Sequence, residues 1–314
     1  MTTRADIVSV VIPVYCDGAR AIAAARAMAA QMLPTGMEVE IILVDDGSDD
    51  DTPAMLAHDA APARVLRLER NKGRSAARNA GAQLVSGTVV VFMDCDCLPT
   101  RADFLSAHLA VLDTGAVAST GGVIGRGDGF WDRYQHEASL RRERQHAAGN
   151  PYSGSSQNLA VRKAAFEQVG GFDGGYRQYG FEDRDLLLRL AALGRIAWTR
   201  DAVVRHLDAL SLVQVSRKMA EAGEHSSPRF AARHPDAYRA LGYAQLDARV
   251  RPWLRLVARP LDAILVPLSR LLDGLLAGPA LPYALKAMLV SLVTGASYLA
   301  GTARTPRRSS SQRA

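Results

Sequence analysis

Two long apolar runs near the start of the chain and a third near residue 90 constrain its fold more than any other feature. They are 7–14 (IVSVVIPV), 39–44 (VEIILV) and 88–93 (TVVVFM), and a shorter strand-like run lies at 64–68 (RVLRL). A strand that is apolar without alternation is buried on both faces. Stretches of helical character at 19–32 and 73–85 lie between the runs. Strands alternating with helices predict an α/β fold, with a parallel, doubly wound sheet over the first hundred residues. Ligands of such sheets gather at the carboxyl ends of the strands. Two aspartate pairs fall there: Asp45 and Asp46 after the second run, Asp94 and Asp96 after the last.

The pattern then changes. A strand is expected over 117–124, running into a glycine-rich loop, followed by a charged helix over 130–146. That loop lacks the lysine of a phosphate-binding P-loop. The loop 149–156 is polar, and 157–161 is strand-like. The small polar residues of 152–158 can be read as sugar contacts or as a plain loop. A helix is expected over 182–193, then strand pieces at 195–198 and 202–206. From 211 onward the pattern is helical, and 253–301 is rich in leucine and alanine. Pro260, Pro267, Pro279 and Pro282 are expected to break this run, in which Lys286 is the only charge between Asp273 and Arg304. The apolar stretch is long enough to cross a bilayer, but these residues divide it.

Apolar residues make up 48% of 314, enough for a sizeable core, and the net charge is +6, which favours an anionic partner. Much of the excess lies late, at Arg249, Arg251, Arg255, Arg259, Arg304, Arg307, Arg308 and Arg313. That placement suits a membrane surface. No zinc-finger, helix-turn-helix or aromatic-interleaved basic run supports nucleic-acid binding. Three cysteines, Cys16, Cys95 and Cys97, make no disulfide framework. The N-terminus enters a strand without a signal-peptide core, so a cytoplasmic setting is expected.

Asp94-Cys95-Asp96 can hold a hard divalent cation through its carboxylates, or it can be a pair of loop-capping aspartates. Cys95 and Cys97 have no second ligand pair at zinc spacing. Glu182 and Asp183 open a helix, as acid/base groups or as carboxylates favoured by the macrodipole. His206 ends a strand, as a ligand or as a structural histidine.

Six segments taken in order strengthen one reading. They are Ile12-Pro13-Val14-Tyr15, Val44-Asp45-Asp46-Gly47-Ser48, the run 71–81 (NKGRSAARNAG), Phe92-Met93-Asp94-Cys95-Asp96, Val169-Gly170-Gly171-Phe172-Asp173, and the run 180–186 (GFEDRDL). Over about 7–207 this chain resembles the family 2 glycosyltransferases of the GT-A fold. The resemblance implies an inverting hexosyltransferase-like enzyme. Its donor would be a nucleotide-diphosphate sugar, UDP- or GDP-linked, and its cofactor Mn²⁺ or Mg²⁺. Its acceptor hydroxyl would belong to a glycan or lipid-linked molecule, in cell-surface polysaccharide or glycolipid synthesis. Carried over by residue, Pro13, Tyr15, Asp45 and Asp46 would serve the nucleoside. Arg74 and Arg78 would serve the diphosphate, and Asp94 and Asp96 the donor and metal. His206 would complete the metal site. Asp183 would be the general base, supported by Glu182, and Asp185 would be structural. Cys97 departs from the family pattern.

The expected organisation is a catalytic domain at 1–210, with donor binding over 1–114 and acceptor binding over 115–210. A helical extension at 211–303 would contact the cytoplasmic face of the inner membrane through 250–303, and a basic disordered tail would occupy 304–314. A nucleotidyltransferase or a non-catalytic nucleotide-sugar-binding scaffold are the competing classes.

Overall fold

Each central strand sends alternate side chains into two different cores, which is why its sequence shows no polar face. In a computed structural model that describes residues 6–150 and 153–304, strand β1 (Asp6–Val14) places Val8, Val10 and Ile12 in one apolar cluster and Val11 in another. Strand β2 (Met37–Asp45) divides likewise, Ile41 and Leu43 against Ile42 and Val44. Strand β4 (Val89–Phe92) sends Val89 and Val91 one way and Val90 and Phe92 the other. Each such side chain contributes about 1.5–3 kcal/mol by leaving water. Tyr152 and residues 305–314, including the expected basic tail with Arg307, Arg308 and Arg313, lie outside the described residues.

Contacts divide the chain into two units. The first comprises Met1–Asp128, Asp132–Gly174 and Asp183–Ala209; the second comprises Gly129–Trp131, Gly175–Glu182 and Leu210–Ala314. The first unit holds an eight-stranded sheet of order β3-β2-β1-β4-β7-β6-β8-β5. Its further strands are β3 (Arg64–Arg67), β5 (Cys97–Pro99), β6 (Ala118–Ile124), β7 (Leu159–Arg162) and β8 (Ile196–His206). Strands β1 to β4 pair in parallel, as the alternating pattern predicts. The sheet then becomes mixed, because β7 runs antiparallel to both β4 and β6, and β5 antiparallel to β8. Helices α1 (Gly18–Ala29), α2 (Thr52–Asp59) and α4 (Phe104–Asp113) cover one face. Helices α3 (Arg74–Ala82), α6 (Lys163–Gln168) and α7 (Glu182–Ala191) cover the other, and α5 (Phe130–Ala147) precedes β7.

Strand β8 is continuous, where the sequence pattern suggested separate pieces at 195–198 and 202–206. The register against β6 jumps between Gly121, paired with Thr199, and Gly122, paired with Val203. Residues 200–202 bulge out, and their polar members broke the apolar pattern. A buried polar knot secures this irregularity. Asn158 donates from Nδ2 to the carbonyls of Gly122 and Ala202, both at 2.8 Å. Its Oδ1 accepts from His108 Nε2 at 2.8 Å, so His108 Nδ1 accepts from the Ser119 hydroxyl at 3.0 Å. Burial pushes the His108 imidazole down to about 4. Asn158 is therefore a structural tie, which decides that end of the 152–158 loop. Gly121 is required beside it, since a Cβ there would stand 1.9 Å from the Ala202 carbonyl oxygen.

The second unit contains α8 (Leu212–Glu221), a π-helical turn (Ala222–Ser226), α9 (Ser227–Arg233), α10 (Pro235–Ala240), a 3₁₀ turn (Tyr243–Leu246), α11 (Leu254–Ala277) and α12 (Tyr283–Ala303). Ser211 and Gln214 form a reciprocal capping box on α8. Phe181, Phe230, Tyr238, Tyr243 and Tyr298 form an aromatic cluster. Two of the late arginines, expected on a membrane-facing surface, pair with acidic neighbours. Arg249 pairs with the buried Asp247 at 2.9 Å, and Arg304 bridges Asp262 and Glu224.

Helix α11 runs through Pro260 and Pro267, although prolines were expected to break it. Both prolines and the residues four before them, Leu256 and Ala263, are exposed, so water can satisfy the freed carbonyls. The interruption comes at 278–282, where Pro279 and Pro282 lie. Lys286 has a physical role there: its Nζ donates to the carbonyls of Leu276 (2.7 Å) and Gly278 (2.5 Å), closing the end of α11. Helix α12 is long and apolar enough to cross a membrane, but 44% of that window is packed inside the protein.

Candidate active site

The carboxyl ends of β1, β2 and β4 and the start of α3 carry the residues expected to meet a nucleotide. Pro13 is half-buried in β1, and Tyr15, just past it, is 48% exposed. Asp45 ends β2 and is buried; its Oδ1 accepts the Ser48 amide at 2.9 Å and its Oδ2 meets Arg67 at 3.4 Å. Asp46 accepts the amides of Lys72 and Gly73 on separate oxygens, both at 2.8 Å. Asp45 thus ties the local turn, and Asp46 ties the loop before α3. Burial raises the Asp46 carboxyl above the ordinary value, with those amides acting against the rise. Asp46 thus occupies the two amides just before α3. Arg74, the first residue of α3, is exposed there.

Arg78, one turn further along α3, is only 1% exposed. Its Nη2 donates to Asp94 Oδ1 at 2.5 Å, and its guanidinium lies 5.3 Å from the Phe172 ring centre. Its Nε and Nη1 are buried without a hydrogen-bond partner. Asn79 holds Phe172 in place through both its amide and its carbonyl, at 2.9 and 2.8 Å. Burial pushes the Asp94 carboxyl up, but Arg78 and Arg74 outweigh it and hold Asp94 below the usual carboxylate range.

Asp96 is positioned by the next three residues. Cys97, Leu98 and Pro99 form β5, in which Cys97 pairs with His206 of β8, and the Leu207 amide donates to the Asp96 carbonyl at 2.8 Å. This pairing puts the imidazole beside the carboxylate: His206 Nε2 and Asp96 Oδ2 are 3.2 Å apart. Asp208 lies two residues past His206, and ligand atoms of Asp96, His206 and Asp208 all fall within 4.8 Å of one another. Asp208 also pairs with Arg20 of α1.

Burial lowers the His206 pKa, but the hydrogen bond and charge of Asp96 reverse this and raise it above the ordinary histidine value. His206 Nδ1 is buried with no hydrogen-bond partner. Two carboxylates and one imidazole with an unsatisfied buried Nδ1 fit a divalent cation such as Mn²⁺ or Mg²⁺. Asp94, also expected at the metal, is not one of these three; its Oδ1 accepts from Arg78. Neither Cys95 nor Cys97 joins this cluster, and burial and the neighbouring Asp96 push both thiols up. Cys97 is fully buried in the core beneath β5.

The expected acid/base pair opens α7. Gly180 (φ 101°) and Phe181 (φ 69°) precede it in left-handed backbone, and Phe181 is strained there by about 1–3 kcal/mol. Glu182 is buried. Asp183 accepts from the Ser155 hydroxyl on Oδ2 at 3.3 Å, and its Oδ1 is buried without a hydrogen-bond partner. Asp185 is structural: it holds Arg189 at 2.7 Å, and Arg189 caps the carbonyls of Val169 and Gly171.

The sequence model described as glycosyl transferase family 2 matches residues 9–170, over half of the chain. The chain belongs to glycosyl transferase family 2. A second model, the N-terminal domain of galactosyltransferase, matches residues 145–200. Glycosyltransferase AglE of Haloferax volcanii is 28% identical over 55% of this chain, which spans 58% of AglE. The N-acetylglucosaminyl-diphospho-decaprenol L-rhamnosyltransferase of Mycobacterium tuberculosis is 28% identical over 80% of this chain and 87% of its own length. The mannosyltransferase PcManGT of Pyrobaculum calidifontis, solved with GDP-Man and Mn²⁺, superposes with a TM-score of 0.64 at 20% identity, covering 95% of this chain and 88% of that one. As a family 2 glycosyltransferase the protein has the GT-A fold, and its mixed sheet with flanking helices is that architecture.

Proposed function

We propose that this glycosyltransferase moves a sugar, with inversion, from a UDP- or GDP-linked donor to a hydroxyl of a lipid-linked or glycan acceptor. The observation that carries the reading is the convergence of Asp96, His206 and Asp208 beside the Arg78–Asp94 pair. The Mycobacterium tuberculosis relative, named for a diphospho-decaprenol substrate, supports a lipid-linked acceptor. An acceptor of that kind would set the enzyme at the cytoplasmic face of the membrane that carries it.

The roles follow from the chemistry. Tyr15 stacks on the nucleobase, with Pro13 alongside. The carbonyl-side rim at Asp45 and Asp46 faces the ribose. Arg74 and Arg78 bring positive charge to the diphosphate, and the buried Arg78 fixes Asp94 as an ionised acceptor toward the donor. Asp96, His206 and Asp208 would hold a divalent cation, which when bound neutralises charge on the leaving diphosphate. Asp183 takes the proton from the acceptor hydroxyl as its oxygen attacks the anomeric carbon from the face opposite the diphosphate. Base catalysis of this type contributes about 10²–10⁴-fold. Glu182 supports Asp183 or positions the acceptor.

Product analysis tests the class. With Mn²⁺, a nucleotide-sugar panel and lipid-linked acceptors, a nucleoside diphosphate is expected. Release of pyrophosphate would mean nucleotidyl transfer and overturn the reading.

A further inference from the structure

Helix α11 is apolar on two faces. Leu254, Ala258, Leu265 and Leu276 point inward and are buried. Trp253, Leu256, Ile264, Leu268, Leu271 and Leu275 point outward, with Leu256 78% and Leu271 74% exposed. At about 100° per residue the outward set falls within a sector of roughly 120°. Soluble surfaces seldom keep so continuous an apolar stripe, and one of this kind marks an interaction site.

Charge identifies the partner. By the same rotation Arg259 and Arg270 lie within about 60° of one border of the stripe, and Arg255 lies further round on that side, about 100° from it. Among the described residues none forms a hydrogen bond or ion pair with these guanidinium groups. The acidic residues of α11 are already engaged. Asp262 pairs with Arg304, and Asp273 accepts the amides of Leu212 (2.5 Å) and Val213 (3.3 Å) at the head of α8. The helix therefore presents a leucine and tryptophan face edged by uncompensated positive charge.

We propose that this face of α11 docks on an anionic lipid bilayer. Trp253 and the leucines enter the boundary between headgroups and acyl chains, and Arg255, Arg259 and Arg270 meet lipid phosphates. The helix lies in the plane of the interface, because the charged residues along its length bar it from spanning. A second copy of the chain suits the face less well. It would have to supply carboxylates to the arginines, and those of α11 are occupied. The proposal draws its purpose from the membrane-borne acceptor, but its measurement needs neither donor nor acceptor.

The test is co-sedimentation of the full chain with vesicles of phosphatidylcholine alone or with phosphatidylglycerol. Binding is expected on the anionic vesicles, weakening with salt, with little on phosphatidylcholine alone. Replacing Arg255, Arg259 and Arg270 together by Gln should weaken it on the order of a hundredfold, and Leu256→Glu with Leu271→Glu should abolish it. The leucines are exposed, so the fold should tolerate the change, which melting curves check. In the unaltered chain, tryptophan emission should shift to the blue on anionic vesicles, and Trp253→Phe should remove the shift. Absence of wild-type binding, or equal binding by the leucine variant, would overturn the proposal. So would a dimer, seen by light scattering, that the leucine changes dissociate while vesicle binding persists. If vesicle binding fails while transfer to detergent-solubilised acceptor proceeds, the docking surface falls alone and the catalytic reading stands.

Discussion

Asp96 and Asp183 differ in what their carboxylates already satisfy, and that difference separates their expected phenotypes. Asp96 sits with His206 and Asp208 in a cluster suited to a cation. Asp183 has one oxygen on Ser155 and one buried and unmatched. Asp96→Ala should remove the metal dependence of donor binding, seen as loss of the Mn²⁺-dependent thermal shift with nucleotide sugar. Asp183→Asn should keep that shift and lower turnover by about 10²–10⁴-fold. A different residue controls acid stability. His108 is neutral in the fold, held near 4, while in the unfolded chain it titrates at the ordinary histidine value. Between these values the unfolded chain binds more protons, so stability rises with pH through this window and is lost on acidification. His108 alone should account for about 3 kcal/mol lost between pH 6.5 and pH 4. Urea melts of wild type and His108→Gln across that range check it: the variant should start less stable and show a flatter profile.

At the scale of elements, the grouping of Asp96, His206 and Asp208 depends on a three-residue strand. β5 brings Asp96 to the end of β8, and the Asn158 knot holds β8 against β6 across its bulge. Gly121→Ala would push a methyl into the Ala202 carbonyl. It should destabilise the protein by about 1–3 kcal/mol and weaken Mn²⁺ binding through displacement of His206, measured by chemical melts and calorimetry. These same elements were hardest to read beforehand. The runs at 7–14, 39–44 and 88–93 announce themselves because both faces of each strand are buried. β5, with the sequence CLP, is too short for any periodicity, and its pairing with β8 joins residues over a hundred positions apart. Helix α4 does leave a trace, since Phe104, Leu105, His108, Leu109 and Leu112 follow helical spacing. Asp208 carried a usable signal, an acidic residue two past a strand-ending histidine. Its pairing with Asp96 was still hidden, because that depends on antiparallel closure by β5.

At the scale of the whole molecule, the catalytic framework and the helical second unit were legible to different degrees. The first followed from ordered motifs, each tied to a strand end. The second had only composition to go by, so Arg249 and Arg304 looked like surface charge until Asp247, Asp262 and Glu224 were seen to neutralise them. Lys286 likewise looked like an interruption and proves to be the cap of α11. The π-helical turn at 222–226 carries a consequence for how such chains diverge. A turn of this kind accommodates one residue more than a regular helix and joins α8 to α9 without a break. Removing one residue there should restore α-helical winding and rotate everything beyond by about 100°. Phe230 would leave the aromatic cluster, and Gly223, whose hydrogen faces the Tyr298 carbonyl where a Cβ would come within 2.4 Å, would be replaced at that contact by a bulkier neighbour. A single-residue deletion at this turn should therefore be far more damaging than the same deletion in the loop at 278–282, and proteolysis of the two variants would show it. Relatives one residue shorter at this point should have rebuilt that cluster with different aromatic positions.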